Sequence, residues 1–267
     1  MLEHISVSQA RMFKTCPKQW FFKYVQKLKQ PISDRMLLGI AVHKGLAHAN
    51  TLRQAALDIE HPTDTIMNEI MRVTNDEADG VVVDKDGIPL EVLWDSQKDM
   101  EGLKASAKTI LSRVVPTLTK YTGMPEYIEH PIPEITLPCG MPLVGYVDLV
   151  DADGAIYDFK VGARAKSQGD VDADLQLSLY SYAMHPGTLK TIPVYLMCVS
   201  CKNGDVTKVA VKRDQWQSEA AIQEMDETAQ LMATGIYPPN TEGWPCSPTY
   251  CGYWSICKFG GGRQSGG

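Results

Sequence analysis

Asp148, Asp158 and Lys160 are the residues best placed to do chemistry. They lie in Gly145–Lys160, where two apolar runs, Leu143–Val150 and Ala155–Val161, flank a turn at Asp153-Gly154. That pattern reads as a β-hairpin. A three-residue loop, Ala152–Gly154, with Gly154 in the left-handed position, sets Asp151 opposite Ala155 and Asp148 opposite Asp158. Directly opposed residues have Cβ atoms about 5 Å apart, near enough for two carboxylates to hold one divalent cation. Lys160, two residues beyond Asp158, shares that face. Mg²⁺ and Mn²⁺ are hard ions that favour carboxylate, carbonyl and water oxygens. Held by Asp148 and Asp158, such an ion could polarise a phosphoryl oxygen and acidify an attacking water. Lys160 could position that water or offset developing negative charge. The residue types point to metal-assisted phosphodiester hydrolysis. The plainer alternative is a surface hairpin with solvated charges, because Asp-x-Lys alone is common.

Two further stretches could complete such a site. Gly39-Ile-Ala-Val-His43 falls in an apolar segment of helical character, Met36–Ala49. His43 is either a further metal ligand or a core histidine with its hydrogen bonds satisfied. Gly39, one turn earlier on the same face, would admit another backbone. Asp174–Met184 places Gln176 and Tyr180 four apart, on one face of a helix. Both could hydrogen-bond a phosphate or a base; the alternative is an ordinary amphipathic helix.

Taken in order, Gly39-x-x-x-His43, Gly145-x-x-Asp148, Asp158-x-Lys160 and Gln176-x-x-x-Tyr180 resemble the RecB-like branch of the PD-(D/E)XK nucleases. The resemblance runs from Ser6 to Cys257. It implies a restriction-endonuclease-like α/β (α+β) core, a mixed central sheet flanked by helices. It also implies that His43, Asp148 and Asp158 bind Mg²⁺ or Mn²⁺, with the Phe159 carbonyl as a further ligand, and that Lys160 serves catalysis. Gln176 and Tyr180 would help to hold DNA. Val147 stands where the family name has proline, and Asp158 where many members have Glu; neither change removes a ligand.

The seven cysteines are Cys16, Cys139, Cys198, Cys201, Cys246, Cys251 and Cys257. No apolar run approaches the roughly 18 residues of a membrane span, and Met1–Arg11 is too polar for a leader. The chain is therefore expected to be cytoplasmic, with no membrane partner. Reduced thiols that cluster suggest metal rather than disulfides. Cys246, Cys251 and Cys257 fall in one Pro/Gly/aromatic loop, and Cys16, followed by Pro17 at a helix start, suits a fourth ligand. The same family has an iron–sulfur branch with one cysteine near the N-terminus and three near the C-terminus. It includes CRISPR-associated exonucleases and the nuclease domains of bacterial break-repair helicase–nucleases. By that resemblance the four would hold a [4Fe-4S] cluster, stapling the chain ends across more than two hundred residues. The gap between Cys246 and Cys251 is longer than the branch's usual spacing, and zinc is the alternative. Cys198 and Cys201, three apart on an expected strand, point to opposite faces and make a poor pair; Cys139 reads as structural.

At 267 residues with 44% hydrophobic content, the chain suits one domain, 1–259, with a tail at 260–267. The expected parts are a cysteine module from 1–35 and 236–259, a helical region at 36–130, and a catalytic sheet at 131–212. Net charge is −6, but residues 1–50 carry eight Lys/Arg against Glu3 and Asp34, while residues 51–101 carry thirteen acids against four bases. The basic arm, interleaved with Trp20, Phe21, Phe22 and Tyr24, could track a phosphate backbone or form an apolar stripe with a solvated lysine face. A Gly/Asp-rich loop is expected near Asp79–Gly87. The resemblance makes the expected function a metal-dependent DNA exonuclease acting on single-stranded ends. Recombination or CRISPR-adaptation proteins are possible partners, and the origin is bacterial or viral (phage). Rival classes are a non-catalytic DNA-binding or adaptor subunit and an iron–sulfur electron carrier.

Overall fold

A computed structural model describes residues 3–81, 92–94, 99–184 and 192–261. The tail beyond 261, the loop residues 82–87 and Thr191 lie outside the described residues. In chain order the elements are α1 (Val7–Thr15), α2 (Pro17–Trp20), β1 (Ile32–Ser33), α3 (Asp34–Gln54), α4 (Asp64–Val81), β2 (Val92–Leu93), α5 (Met100–Val114) and α6 (Leu118–Tyr121). Then come β3 (Pro125–Pro131), β4 (Ile135–Thr136), β5 (Pro142–Leu143), β6 (Tyr146–Asp151), β7 (Ile156–Gly162), α7 (Gln168–Asp172), α8 (Leu175–Met184), β8 (Ile192–Ser200), β9 (Val206–Arg213) and α9 (Gln215–Ala233). Among the described residues no helix is long and apolar enough to cross a membrane.

The chain forms two compact units. The larger, Ile32–Pro133 with Tyr146–Glu219, is built on a five-stranded sheet of order β3-β6-β7-β8-β9. Only the β7–β8 pair is parallel, so the sheet is mixed. Its crossover carries α8, as parallel neighbours require a long connection. Strand β7 reads as an apolar run because it is central; Ile156, Tyr157 and Phe159 are all buried. Leu37, Val42 and Leu46 of α3 and Ile110 and Leu111 of α5 join Leu149, Phe159 and Met197 in one core. Ser33 caps α3, accepting from the Met36 N–H at 3.2 Å. The stretch 36–130 is helical only in part: it ends in the edge strand β3, bracketed by Pro125 and Pro131. An edge position tolerates proline because one side of the strand has no ladder to donate to.

The smaller unit gathers Met1–Pro31, Glu134–Gly145 and Ala220–Gly267. It thus takes in the β4–β5 hairpin and most of α9 as well as both cysteine-bearing ends. Ser6 caps α1, accepting from the Gln9 N–H at 3.3 Å. Helix α2 runs only from Pro17 to Trp20, and the chain continues as a π-helical turn, Phe21–Val25. The aromatic stripe packs inward: Trp20 is fully buried, edge-on to Phe13 at 5.4 Å, and Phe21 stacks on Tyr237 at 5.0 Å. Tyr253, also buried, donates to the Leu28 carbonyl at 3.0 Å.

Candidate active site

The hairpin forms in the expected register. Leu149 pairs with Tyr157 and Val150 with Ile156, and one further step sets Asp148 opposite Asp158. Gly154 takes φ +81°, the left-handed conformation that the tight loop requires. Asp151 closes the loop, its carboxylate accepting from the Asp153 and Ala155 N–H groups at 3.0 and 2.9 Å.

The larger unit brings together His43, Asp148, Asp158, Lys160, Gln176 and Tyr180. Asp148 Oδ2 accepts from the Phe159 N–H at 2.7 Å and lies 2.8 Å from His43 Nε2. Phe159 therefore meets the site through its N–H, and its ring stands edge-on to His43 at 6.5 Å. Asp158 is 1% exposed and takes the Lys160 ammonium on both oxygens, at 2.8 and 3.1 Å. Burial, then the facing Asp148 charge, pushes the Asp158 carboxyl well above its ordinary range. Lys160 is raised in turn: burial opposes its charge, but Asp158 and Asp148 outweigh it, so Lys160 stays a cation. Its ammonium also lies 3.4 Å from Gln176 Oε1. The Gln176 amide donates to Tyr180 Oη. Tyr180 is buried and its hydroxyl pushed up, first by burial. Of the expected DNA-holding pair, Gln176 is the accessible member and Tyr180 stands behind it.

Glu129 on β3 belongs to the same cluster and escaped the sequence reading. Its Oε1 is 3.8 Å from His43 Nδ1, and its Oε2 accepts from Lys44 at 2.8 Å. Burial disfavours the His43 proton, but the hydrogen bond to Asp148 and the neighbouring Glu129 carboxylate outweigh it and raise His43 to about 10. The neighbouring His43, with Lys44, holds Glu129 down at about 2. The available signal was a short acid-bearing segment bracketed by two prolines, an edge-strand mark.

Among the described residues, no three His, Cys, Asp or Glu side chains form a ready-made metal site. Inside the cluster the acids are bonded to the chain's own cations, Asp148 to His43 and Asp158 to Lys160. The donor set of two carboxylates and an imidazole nevertheless fits Mg²⁺ or Mn²⁺, which favour oxygen.

In the smaller unit, Cys16, Cys246, Cys251 and Cys257 line one pocket with Gln19, Phe22, Asn240 and Trp254. None of the four is in a disulfide. Cys16 lies between α1 and α2, and its sulfur accepts from the Asn240 N–H at 3.4 Å. Cys251 Sγ lies 4.0 Å from Gln19 Nε2. Burial raises the Cys251 thiol, with the other three cysteines adding to it. Four sulfurs around one pocket, with amide donors aimed at two of them, fit a thiolate-bound group. Strand β8 ends at Ser200, so strand alternation does not set Cys198 and Cys201 on opposite faces; Cys198 Sγ accepts from the Lys166 N–H at 3.4 Å. The Cys139 N–H donates to Asp226 at 2.7 Å. Lys18 and Lys23 lie over the rings of Phe21 and Tyr24, at 4.7 and 5.5 Å.

The sequence model for the PD-(D/E)XK nuclease superfamily matches residues 4–258. Among solved structures, a candidate exonuclease from Eubacterium rectale has a similar fold, with a TM-score of 0.56 at 13% identity over 91% of this chain and 86% of that one. A second, SSO0001, gives a TM-score of 0.37 at 12% identity over 94% and 95%. No curated protein matches.

Proposed function

The chain belongs to the PD-(D/E)XK nuclease superfamily, and on that premise we propose that it is a metal-dependent deoxyribonuclease, an exonuclease acting on single-stranded DNA ends. The observation that carries the reading is the opposition of Asp148 and Asp158 with Lys160 on the same strand as Asp158. Burying an acid costs free energy unless it is paired. Asp158 is fully buried and paired with Lys160, and the two acids together make a good cation grip. His43, Asp148 and Asp158 would hold Mg²⁺ or Mn²⁺, with the Phe159 carbonyl alongside. The ion would supply Lewis acidity at a phosphoryl oxygen and lower the pKa of an attacking water.

The chain's own groups do the rest. The Phe159 N–H and His43 orient the Asp148 carboxylate. Lys160, charged and tied to Asp158, faces the same site and offsets negative charge that develops on the phosphoryl group. It is a positioning cation and not a base, because its raised pKa keeps its proton. Gln176, beside Lys160, offers an amide to the substrate backbone, and Tyr180 fixes that amide from behind.

The second part of the proposal is a [4Fe-4S] cluster held by Cys16, Cys246, Cys251 and Cys257. Its support is the convergence of the four cysteines, none in a disulfide, on one pocket from segments more than two hundred residues apart. Such a group would close the smaller unit covalently.

The direct test incubates anaerobically purified protein with end-labelled single- and double-stranded DNA, with Mn²⁺ or EDTA. Stepwise shortening of the single strand with Mn²⁺, and none with EDTA, is expected. No cleavage with Mn²⁺, or equal cleavage with EDTA, would overturn the proposal.

A further inference from the structure

We propose that Glu129 is the positioning residue of His43: it grips the far side of the imidazole and presents the Nε2 edge to Asp148. The inference rests on the metal-dependent reading of the site and extends it to a residue outside the family motifs.

Three observations carry it. The first is register. Ile128 pairs with Leu149 and His130 with Val147, so Glu129 stands opposite Asp148 across β3 and β6. Carrying the β6–β7 register one step beyond the Leu149–Tyr157 pair brings Asp148 level with Asp158. Three acids on three adjacent strands thus share one level of the sheet, and Asp148 is the middle one.

The second is backbone. Glu129 takes φ +44° within a strand that continues on both sides. Left-handed conformations are unfavourable for a residue with a long side chain. Such strain persists where surrounding structure over-determines it, and it gathers at functional sites. No turn at this point requires it.

The third is contact. Glu129 reaches His43 Nδ1 with one oxygen at 3.8 Å while Lys44, the next residue of α3, holds the other oxygen at 2.8 Å. The Nε2 side of the same ring meets Asp148 at 2.8 Å, and Phe159 closes a third side edge-on. A carboxylate on the non-ligating nitrogen fixes the tautomer and orientation of a metal-binding histidine and raises its basicity. Lys44 keeps the carboxylate itself from rotating away.

The test compares wild type with Glu129→Ala and Glu129→Gly by two readouts. Mn²⁺ affinity is measured from the free-ion electron paramagnetic resonance signal without DNA. The His43 ring nitrogens are followed by ¹⁵N NMR in metal-free protein at fixed pH. Both variants should bind Mn²⁺ about ten- to a hundredfold more weakly, and both should move the His43 Nδ1 resonance. Glu129→Gly relieves the left-handed backbone, so its melting temperature should equal or exceed wild type despite the weaker binding. An unmoved Nδ1 resonance, unchanged Mn²⁺ affinity, or a loss of affinity that appears only with a lowered melting temperature would overturn the proposal. Failure of the metal reading looks different: wild type itself would then fail to bind Mn²⁺, whatever the ring resonance does.

Discussion

The Phe159 N–H donates to Asp148 Oδ2 at 2.7 Å. The strand that carries one acid of the site thereby fixes the carboxylate of the other. Backbone amides do not adjust as side chains do, so the Asp148 grip is set by the sheet before any cation arrives. Asp158 is held differently, by an ammonium that can exchange partners.

That difference separates the effects of two substitutions. Lys160→Ala should lower DNA cleavage by about 10²–10³-fold, the usual cost of removing one preorganised electrostatic group, and Asp158→Ala should bring it to background. Both proteins should keep their far-ultraviolet dichroism. Wild-type-like cleavage by either variant would exclude the site.

Asp158 also lowers the stability of the metal-free protein. Its folded-state carboxyl is raised by burial and by Asp148, so folding loses stability as pH rises from the ordinary carboxylate range through the raised value. Asp158→Asn should therefore stabilise the metal-free protein near neutral pH by about 1 kcal/mol. It should also remove the Mn²⁺-dependent gain, about 2.7 kcal/mol for wild type at a hundredfold excess over Kd. Thermal unfolding with and without Mn²⁺ reads both.

His43 runs with the opposite sign. Raised from 6.5 to about 10, it contributes stability that is complete below 6.5 and lost as pH rises through about 10. Towards neutral pH the metal-free site thus holds protons on His43 and on the raised Asp158 carboxyl. Ligation requires these groups unprotonated. Mn²⁺ binding should release protons and tighten as pH rises from about 6 towards about 10, the value to which His43 is raised. Calorimetric titration in buffers of different ionisation enthalpy measures the release; a binding heat independent of buffer would contradict it.

Gln176→Ala should raise KM for DNA by about tenfold, the value of one hydrogen bond to a charged backbone, with a smaller fall in kcat because Lys160 loses a neighbour. Tyr180→Phe should have the weaker effect of the two, since Tyr180 is buried behind Gln176. Steady-state kinetics on a labelled oligonucleotide checks the order.

Cys16→Ala or Cys257→Ala should yield colourless protein without bound iron or sulfide, with the smaller unit open to protease. Closing so long a loop is worth about 5–6 kcal/mol in the chain-entropy picture. Iron analysis with limited proteolysis decides it; full iron content in either variant would remove the four-cysteine assignment.

The hairpin was legible because two local signals agree. Asp153-Gly154 demands one loop, and the apolar runs on either side allow one register. The pairing of Leu149 with Tyr157 and the φ of Gly154 follow from both. Glu129 was not legible, because its place depends on β3 pairing with a strand about twenty residues on, and prolines at both ends of β3 hide its period-two pattern. Helix α2 gives way to a π-turn after Trp20 for a similar reason. The pattern Trp20–Val25 satisfies a helical stripe, but the π-turn that packs it is chosen by Tyr237 and Tyr253 from the far end of the chain.

The most direct measurement of the central claim is a crystal soaked in Mn²⁺ and recorded at the manganese absorption edge. The account predicts an anomalous peak between the Asp148 and Asp158 carboxylates, within reach of His43, with Lys160 turned from Asp158. Carboxylates still bonded to His43 and Lys160, with no anomalous peak between them at saturating Mn²⁺, would contradict it.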